Sequence, residues 1–311
     1  MAVNSFIKAT EFWLPSQDRS LLEYGGGLYG PGSRMARISR EMCFGRGEGL
    51  PGRAWDLGAP VVLHAFEGSY FKRTNAALAD GLTCGIALPI FSGDYLSSVV
   101  VFFCGDDEAH AGAIEVWRND PALGKDMTLA DGHYGRTADT FEFISRRTSF
   151  RQGTGLPGLA WMERAPVFMP DLGRGAGFLR GDSAVKVGIN RGFAIPCATP
   201  GRDQYVLAFL SALGTPIARR VEIWKTGFNG KALSLQAGFC EVAGELTETG
   251  GASLQIGQGS VGRCWLTGLP QLSAGLASEP GPATQISGLH ALAVMPVLDQ
   301  GRFVAAVALY F

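Results

Sequence analysis

Apolar and polar residues follow one order along the chain three times, and that order predicts strands and short helices. Alternating stretches such as Leu21–Tyr24 and Leu233–Leu235 are typical of strands in a hairpin with one buried face. More uniformly apolar stretches predict further strands, which pair as hairpins. These stretches are Gly85–Pro89, Ser97–Phe103, Gly192–Pro196, Tyr205–Leu210, Leu292–Pro296 and Phe303–Phe311.

A glycine-rich motif repeats between these strands. Gly47–Trp55 reads Gly-Glu-Gly-Leu-Pro-Gly-Arg-Ala-Trp, recurs at Gly153–Trp161 and returns in altered form at Gly257–Trp265. The spacing from one copy to the next is 106 and then 104 residues, which is the length of a whole small domain. Matching glycines indicate a tight turn with positive φ or close backbone approach that leads into a helix.

Each copy predicts the same order of elements: two strands, a turn with a helix, a strand, a second helix and two final strands. The turn helices are expected at Gly52–Leu57 and Gly158–Met162, and an Ala-Pro pair ends each one. The second helices are expected at Phe71–Leu82 and Phe178–Val187. Strands outnumber helices and neighbouring strands are close in sequence, so we predict an α+β fold with mostly antiparallel sheets.

The repeat divides the chain into three units, which we place at residues 1–110, 111–217 and 218–311. In each unit we expect the motif tryptophan, Trp55, Trp161 or Trp265, to be a buried anchor of the turn helix. Gly49 and Gly155 are expected to shape the turn itself. Such a turn that seats a tryptophan in the core is our preferred interpretation of the motif, because no Lys-Ser or Lys-Thr follows, as a phosphate-binding loop would require.

Charge and hydropathy exclude several classes of function. The net charge of −1 argues against a broad surface for binding nucleic acid. The sequence has no run of about eighteen apolar residues, so we expect no membrane span. The stretch Met1–Lys8 lacks the apolar core of a signal peptide, so we expect a soluble intracellular protein. The six cysteines and four histidines show no metal-ligand spacing; we expect reduced thiols, no disulfide, no metal and no cofactor.

The ordered set of motifs resembles the GAF domain family. Glu-x-Trp, the Gly-x-Gly-Leu-Pro-Gly-x-Ala-Trp turn, Ala-Pro-Val, Phe-x-Arg and Gly-x-Ala-x-Pro occur in that order in the first two units, and the third matches only in part. The resemblance implies three GAF-like domains, related to profilin and PAS folds, each with about six strands and flanking helices. It also implies a pocket between the sheet and its covering helices, which many members use to sense small molecules.

One polar position recurs in the first two units. Arg73 and Arg180 each lie 16 residues before the proline of the Gly-x-Ala-x-Pro strand, and Pro280 takes the equivalent place in the third unit. One interpretation is an arginine that braces the helix against the sheet. The other is a guanidinium at a pocket edge that binds a small anion, with Tyr70 and Asn75 adding hydrogen bonds. On the second, the first two units bind the ligand and the third does not.

Three functions follow from these patterns. The first is a non-catalytic module that senses a ligand or regulates a partner. The second is a scaffold within a larger assembly, with pockets filled by side chains. The third is a redox enzyme that uses a cysteine of the first unit, among Cys43, Cys84 and Cys104.

Overall fold

A computed structural model describes residues 5–105, 110–173, 177–227, 230–247 and 252–311, with the backbone alone at 138 and 139. It contains three antiparallel sheets, two of six strands and one of seven. Each sheet lies within one predicted unit, which confirms the α+β fold of antiparallel sheets with few helices. The unit boundaries themselves stay a prediction, and residues 106–109 at the first boundary lie outside the described residues.

Unit one has the strand order β3-β2-β1-β6-β5-β4. Its elements are β1 (Ile7–Pro15), β2 (Leu21–Leu28), α1 (Arg34–Ser39), β3 (Cys43–Gly45), α2 (Gly49–Leu57), β4 (Val61–Leu63), α3 (Thr74–Ala79), β5 (Cys84–Ser92) and β6 (Tyr95–Cys104).

Unit two repeats this topology as β10-β11-β12-β7-β8-β9. Its elements are β7 (Ala111–Asn119), β8 (Met127–Gly135), a π-helical turn (Ala138–Glu142), α4 (Phe143–Ser145), β9 (Ser149–Phe150), α5 (Gly155–Glu163), β10 (Val167–Met169), α6 (Gly181–Lys186), β11 (Ile189–Cys197) and β12 (Gln204–Ala212).

Unit three follows the order β15-β14-β13-β19-β18-β17, with β16 paired to β14. Its elements are β13 (Arg220–Thr226), β14 (Leu233–Cys240), β15 (Gly244–Thr247), β16 (Ser253–Leu254), α7 (Gly259–Thr267), β17 (Gln271–Ser273), a 3-10 turn (Pro282–Gln285), β18 (Leu292–Asp299) and β19 (Arg302–Tyr310). Where the other units have α1 or α4, the described residues of unit three form the strand β15 instead.

The glycine-rich turn has the geometry that its sequence predicts. The first glycine of the motif donates its N–H to the carbonyl of the third glycine, at 2.8 Å between Gly47 and Gly52 and at 2.7 Å in unit two. Gly49 and Gly155 have φ of +58° and +64°, which confirms the predicted left-handed backbone. The third glycine allows close approach, because a Cβ on Gly52 would lie 2.1 Å from a backbone oxygen.

The motif tryptophans differ from the prediction. Trp55, Trp161 and Trp265 are half-buried and not fully buried. The buried face of α2 is centred on Leu50 and Ala54, and Trp55 lies at its edge, where only part of the ring is covered. The tryptophans with no exposed surface are those of the Glu-x-Trp stretches, Trp13 in β1 and Trp117 in β7.

The three sheets share one central core. One face of each sheet lies under the helices of its own unit, and the other packs against the other two sheets. Equivalent residues meet there, including Leu88, Ile195 and Met295. Strands β5, β11 and β18 contact one another across this core. Burial on both faces explains why these strands are continuously apolar and do not alternate.

Candidate ligand-binding site

A buried glutamate occupies the same position on the central strand of every unit. These residues are Glu11, Glu115 and Glu222, and none is more than 2% exposed. Each accepts a hydrogen bond from the indole N–H two residues further along the strand, at 3.0, 2.9 and 2.8 Å. The Glu-x-Trp repeat is therefore a buried carboxylate with its own donor, a role that the sequence reasoning missed.

In unit one this carboxylate is paired with Arg73. The distance from Arg73 Nη1 to Glu11 Oε1 is 2.5 Å, and both side chains have no exposed surface. Tyr29 and Ser39 donate to the same oxygen at 2.6 and 2.8 Å. Burial, together with the neighbouring carboxylate, raises the pKa of Tyr29 far above its usual value, so the phenol stays a donor.

Aromatic rings enclose the guanidinium of Arg73. Their centroids lie 5.2 to 5.7 Å from its central carbon, a distance typical of cation–π contacts. The rings belong to Trp13, Phe44, Phe71 and Phe103. The space between sheet and helices in unit one is therefore filled.

Unit two builds the same arrangement. Arg180 donates to both oxygens of Glu115, at 2.5 and 2.8 Å, and Tyr134 and Ser145 each donate to this carboxylate at 3.0 Å. Four rings lie 4.8 to 5.7 Å from the Arg180 guanidinium, those of Trp117, Phe141, Phe150 and Phe178.

The predicted site residues do not lie together at a pocket edge. Arg73 and Arg180 are core residues, each 3% exposed, and not rim residues. Tyr70 is half-buried beneath the guanidinium of Arg53, 4.6 Å from its ring centroid, and Asn75 is exposed on α3. Anion binding was predicted from arginines at a pocket edge, and the structure places them in the core instead. A ligand role for them stays a prediction.

Unit three neutralises its buried carboxylate differently. Arg220, on the same strand, approaches Glu222 Oε1 at 2.6 Å through both Nε and Nη2. Tyr310 from β19 donates to the other oxygen at 3.0 Å. Burial works to lower the pKa of Arg220, but the adjacent Glu222 outweighs it and the pKa is raised.

Smaller residues in unit three replace several of the side chains that fill unit one. Opposite the strand tryptophan, Tyr24 of unit one becomes Leu129 in unit two and Leu235 in unit three. Relative to the glycine motif, Phe44 becomes Leu254, and relative to the arginine, Phe71 becomes Ser278. The phenol of Tyr29 becomes the thiol of Cys240, and the arginine becomes Pro280.

These changes leave a cavity of about 810 Å³ between the sheet and the covering elements of unit three. This volume is in the range of small-molecule sites in proteins. Its apolar wall is formed by Leu235, Leu246, Leu254, Val261 and Ile286. Its polar lining is formed by Arg220, Glu222, Glu245, Gln258 and Glu279.

Glu279 holds one side of the cavity in place. Its carboxylate accepts the backbone N–H of Ser260 at 2.7 Å and the Ser260 hydroxyl at 2.6 Å, at the first turn of α7. A negative charge is favourable there, because the first N–H groups of a helix have no partner within the helix. The guanidinium of Arg263 lies 3.7 Å from the same carboxylate and is half exposed.

The six cysteines all lie in the described part of the chain and form no disulfide there. Only Cys43 is exposed. Burial raises the pKa of Cys197 to about 12, which disfavours the reactive thiolate. Within the described ranges, His, Cys, Asp and Glu residues form no group of three that could hold a metal ion. None of the helices described is both long and apolar enough to cross a membrane.

Comparison with known proteins gives structural likeness only. No family model matches the chain, and no curated protein matches it. A solved GAF domain shares 14% identity with a TM-score of 0.26, covering 32% of this chain and 51% of its own. The GAF domain of a phosphoenolpyruvate-protein phosphotransferase from Coxiella burnetii shares 14% identity with a TM-score of 0.25, covering 30% and 56%.

A third solved structure is the NreA protein from Staphylococcus aureus, mutated in its nitrate binding site. It shares 16% identity with a TM-score of 0.27, over 32% of this chain and 72% of its own. Each of these three matches extends over about a third of this chain. The chain spans about half the length of the first two structures.

Proposed function

We propose that this chain is a non-catalytic binding protein whose small-molecule site is the cavity of unit three. The observation that carries the proposal is the contrast between units. The space between the sheet and the covering elements is filled by a buried arginine in units one and two. In unit three the same space is a cavity of about 810 Å³.

Units one and two serve as the rigid support of this site. Strand β19 contributes Tyr310 to the cavity lining and Leu309 to the central core that all three sheets share. A ligand that contacts β13 and β19 therefore stabilises a strand on which the packing of the other units depends. We expect ligand binding to raise the unfolding temperature of the whole chain as one transition.

The scaffold function has support of its own in the filled interiors of units one and two. Under that function the cavity of unit three has no small-molecule ligand and partners bind the outer surface. The two functions differ in one measurable respect, which is whether filling the cavity changes ligand binding.

The test uses a variant that restores the residues of unit one. Leu235→Tyr with Leu254→Phe places the aligned Tyr24 and Phe44 side chains in the cavity. Leu266→Phe is the matched control, because Leu266 is 60% exposed and does not line the cavity. Circular dichroism and the unfolding transition first establish that each variant folds. If the double variant does not fold, Leu254→Phe alone is used in its place.

A fragment library is screened on the full chain by thermal shift and by protein-observed NMR. We expect fragments that stabilise the native chain and Leu266→Phe, and lose this effect in the filled variant. Fragments that act equally on all three proteins, or a library without hits, would overturn the binding function and favour the scaffold.

A further inference from the structure

We infer that the cavity of unit three selects an amphipathic cation, an amine or amidine group on an apolar body, and rejects anions. This inference rests on the proposed function and names the chemical class of its ligand. It is the opposite of the small anion that the sequence pattern of Arg73 and Arg180 suggested.

The first step is the charge of the lining. The lining contains three carboxyl side chains and one guanidinium. They belong to Glu222, Glu245, Glu279 and Arg220. A ligand in this cavity therefore meets an excess of negative charge. Coulomb attraction between unlike charges is stronger in a partly enclosed cavity than in bulk water, so the excess acts on the ligand.

The second step is that Arg220 is already committed. Its Nε and Nη2 both lie 2.6 Å from one oxygen of Glu222, and its side chain is 3% exposed. An anionic ligand would have to compete with a buried carboxylate for this guanidinium. Separating such a pair leaves two buried charges uncompensated, so Arg220 is a poor site for anions.

The third step is that the other two carboxylates keep free acceptor capacity. A carboxylate has about four lone-pair positions, and the hydrogen bonds from Ser260 use two of those on Glu279. The guanidinium of Arg263 lies 3.7 Å from Glu279 and is half exposed. Glu245 is exposed on β15 at the cavity, where a ligand ammonium can approach it.

The fourth step concerns the body of the ligand. Leu235, Leu246, Leu254 and other apolar side chains form most of the wall, with Trp224 and Tyr310 as aromatic members. Apolar walls with a few polar groups favour an apolar molecule with one polar end. In units one and two the same region already encloses a cation, the arginine side chain, among aromatic rings and a carboxylate.

The experiment compares three probes with one apolar body and different charges. Tryptamine, tryptophol and indole-3-acetate carry a positive, a neutral and a negative side chain on the same indole. Binding to the full chain is measured by protein-observed NMR titration at low and high salt. We expect tryptamine to bind about five- to tenfold more tightly than tryptophol, indole-3-acetate to bind most weakly, and the preference to shrink at high salt.

Two charge variants locate the source of the preference. Glu245→Gln removes an exposed carboxylate at the cavity, and Glu67→Gln removes an exposed carboxylate of unit one with the same change of net charge. We expect Glu245→Gln to reduce the preference for tryptamine over tryptophol by about two- to fivefold, and Glu67→Gln to leave it unchanged.

The outcomes separate this inference from the proposed function. If indole-3-acetate binds as tightly as tryptamine and the filled variant abolishes both, the cavity is a ligand site and the charge selectivity is wrong. The charge selectivity is also wrong if the preference for tryptamine over tryptophol changes neither with salt nor in Glu245→Gln. If no indole binds while library fragments do, this ligand class is wrong and the binding function stands.

Discussion

Removing the guanidinium of Arg73 tests whether the buried ion pair of unit one is a structural element. The variant Arg73→Met keeps an unbranched apolar side chain among the rings and removes the guanidinium, with its charge and its hydrogen bonds to Glu11 and Ser39. Glu11 then remains with no exposed surface and no cation at 2.5 Å. Its remaining donors are Trp13, Tyr29 and Ser39.

The expected loss in the free energy of unfolding follows from this geometry. Breaking one side of a buried ion pair costs about 3–5 kcal/mol, because a buried charge is left uncompensated. Three donors still solvate the Glu11 carboxylate, and among the described residues Nε and Nη2 of Arg73 find no hydrogen-bond acceptor. Both facts place the loss near the lower bound, at about 3 kcal/mol.

Urea unfolding of a double-mutant cycle measures this quantity. Glu11→Gln in the Arg73→Met background removes the stranded charge, so the double variant should be more stable than Arg73→Met alone. Lys72→Met is the control, since Lys72 and Glu48 form a half-exposed ion pair at 3.3 Å that should be worth at most about 1 kcal/mol. Arg180→Met should repeat the result in unit two.

A stabilising ion pair between Arg73 and Glu11 is refuted if Arg73→Met costs no more than Lys72→Met, or if Glu11→Gln makes the double variant less stable still. An Arg73→Met protein that keeps its stability and loses affinity for an anionic ligand would restore the binding role of this arginine. Stability and binding are therefore measured on the same preparations.

Three further predictions concern local features. Gly52→Ala should destabilise unit one by at least about 1 kcal/mol, since its Cβ would lie 2.1 Å from a backbone oxygen, whereas Gly30→Ala, with open space around it, should have little effect on the urea midpoint. The hydrogen bond between His64 and Asp131 raises the pKa of His64. The resulting stabilisation is complete below about pH 6.5 and is lost as pH rises through the raised pKa. His64→Gln should therefore make the urea midpoint less dependent on pH between about pH 6 and 8. Native thiol alkylation followed by mass spectrometry should modify Cys43 first, because the other five thiols are at least partly buried.

The repeat allowed much of the fold to be predicted. Several features act locally and can therefore be predicted from the sequence. They are the glycines with a left-handed backbone or close backbone approach, the prolines that end helices and the apolar stretches of the strands. The turn helices were predicted to begin three residues too late, since α2 begins at Gly49 and α5 at Gly155. Helix α1 was missed, since Arg34–Ser39 is a single short stretch without a clear apolar period.

The site could not be predicted because it depends on contacts between distant residues. Glu11 and Arg73 were each recognised as repeated positions, but they are 62 residues apart and nothing local indicates that they pair. A signal did exist in the comparison of copies. Arg73 and Arg180 are replaced by Pro280 in the unit where Arg220 appears beside the glutamate, which is the pattern of a counter-charge that has changed position.

The same comparison changes the meaning of the divergent third copy. On the pocket-edge interpretation of Arg73 and Arg180, Pro280 meant that unit three lacks a ligand site, yet several departures of this copy replace a large side chain with a smaller one, such as Phe44 with Leu254. Where the covering elements stay above the sheet, smaller side chains leave volume beneath them, as in the cavity of unit three. The shared core around Leu88, Ile195 and Met295 holds the three sheets together through their other faces. Units one and two can therefore remain filled while unit three contains a cavity, and the divergent copy is the one in which we propose the ligand site.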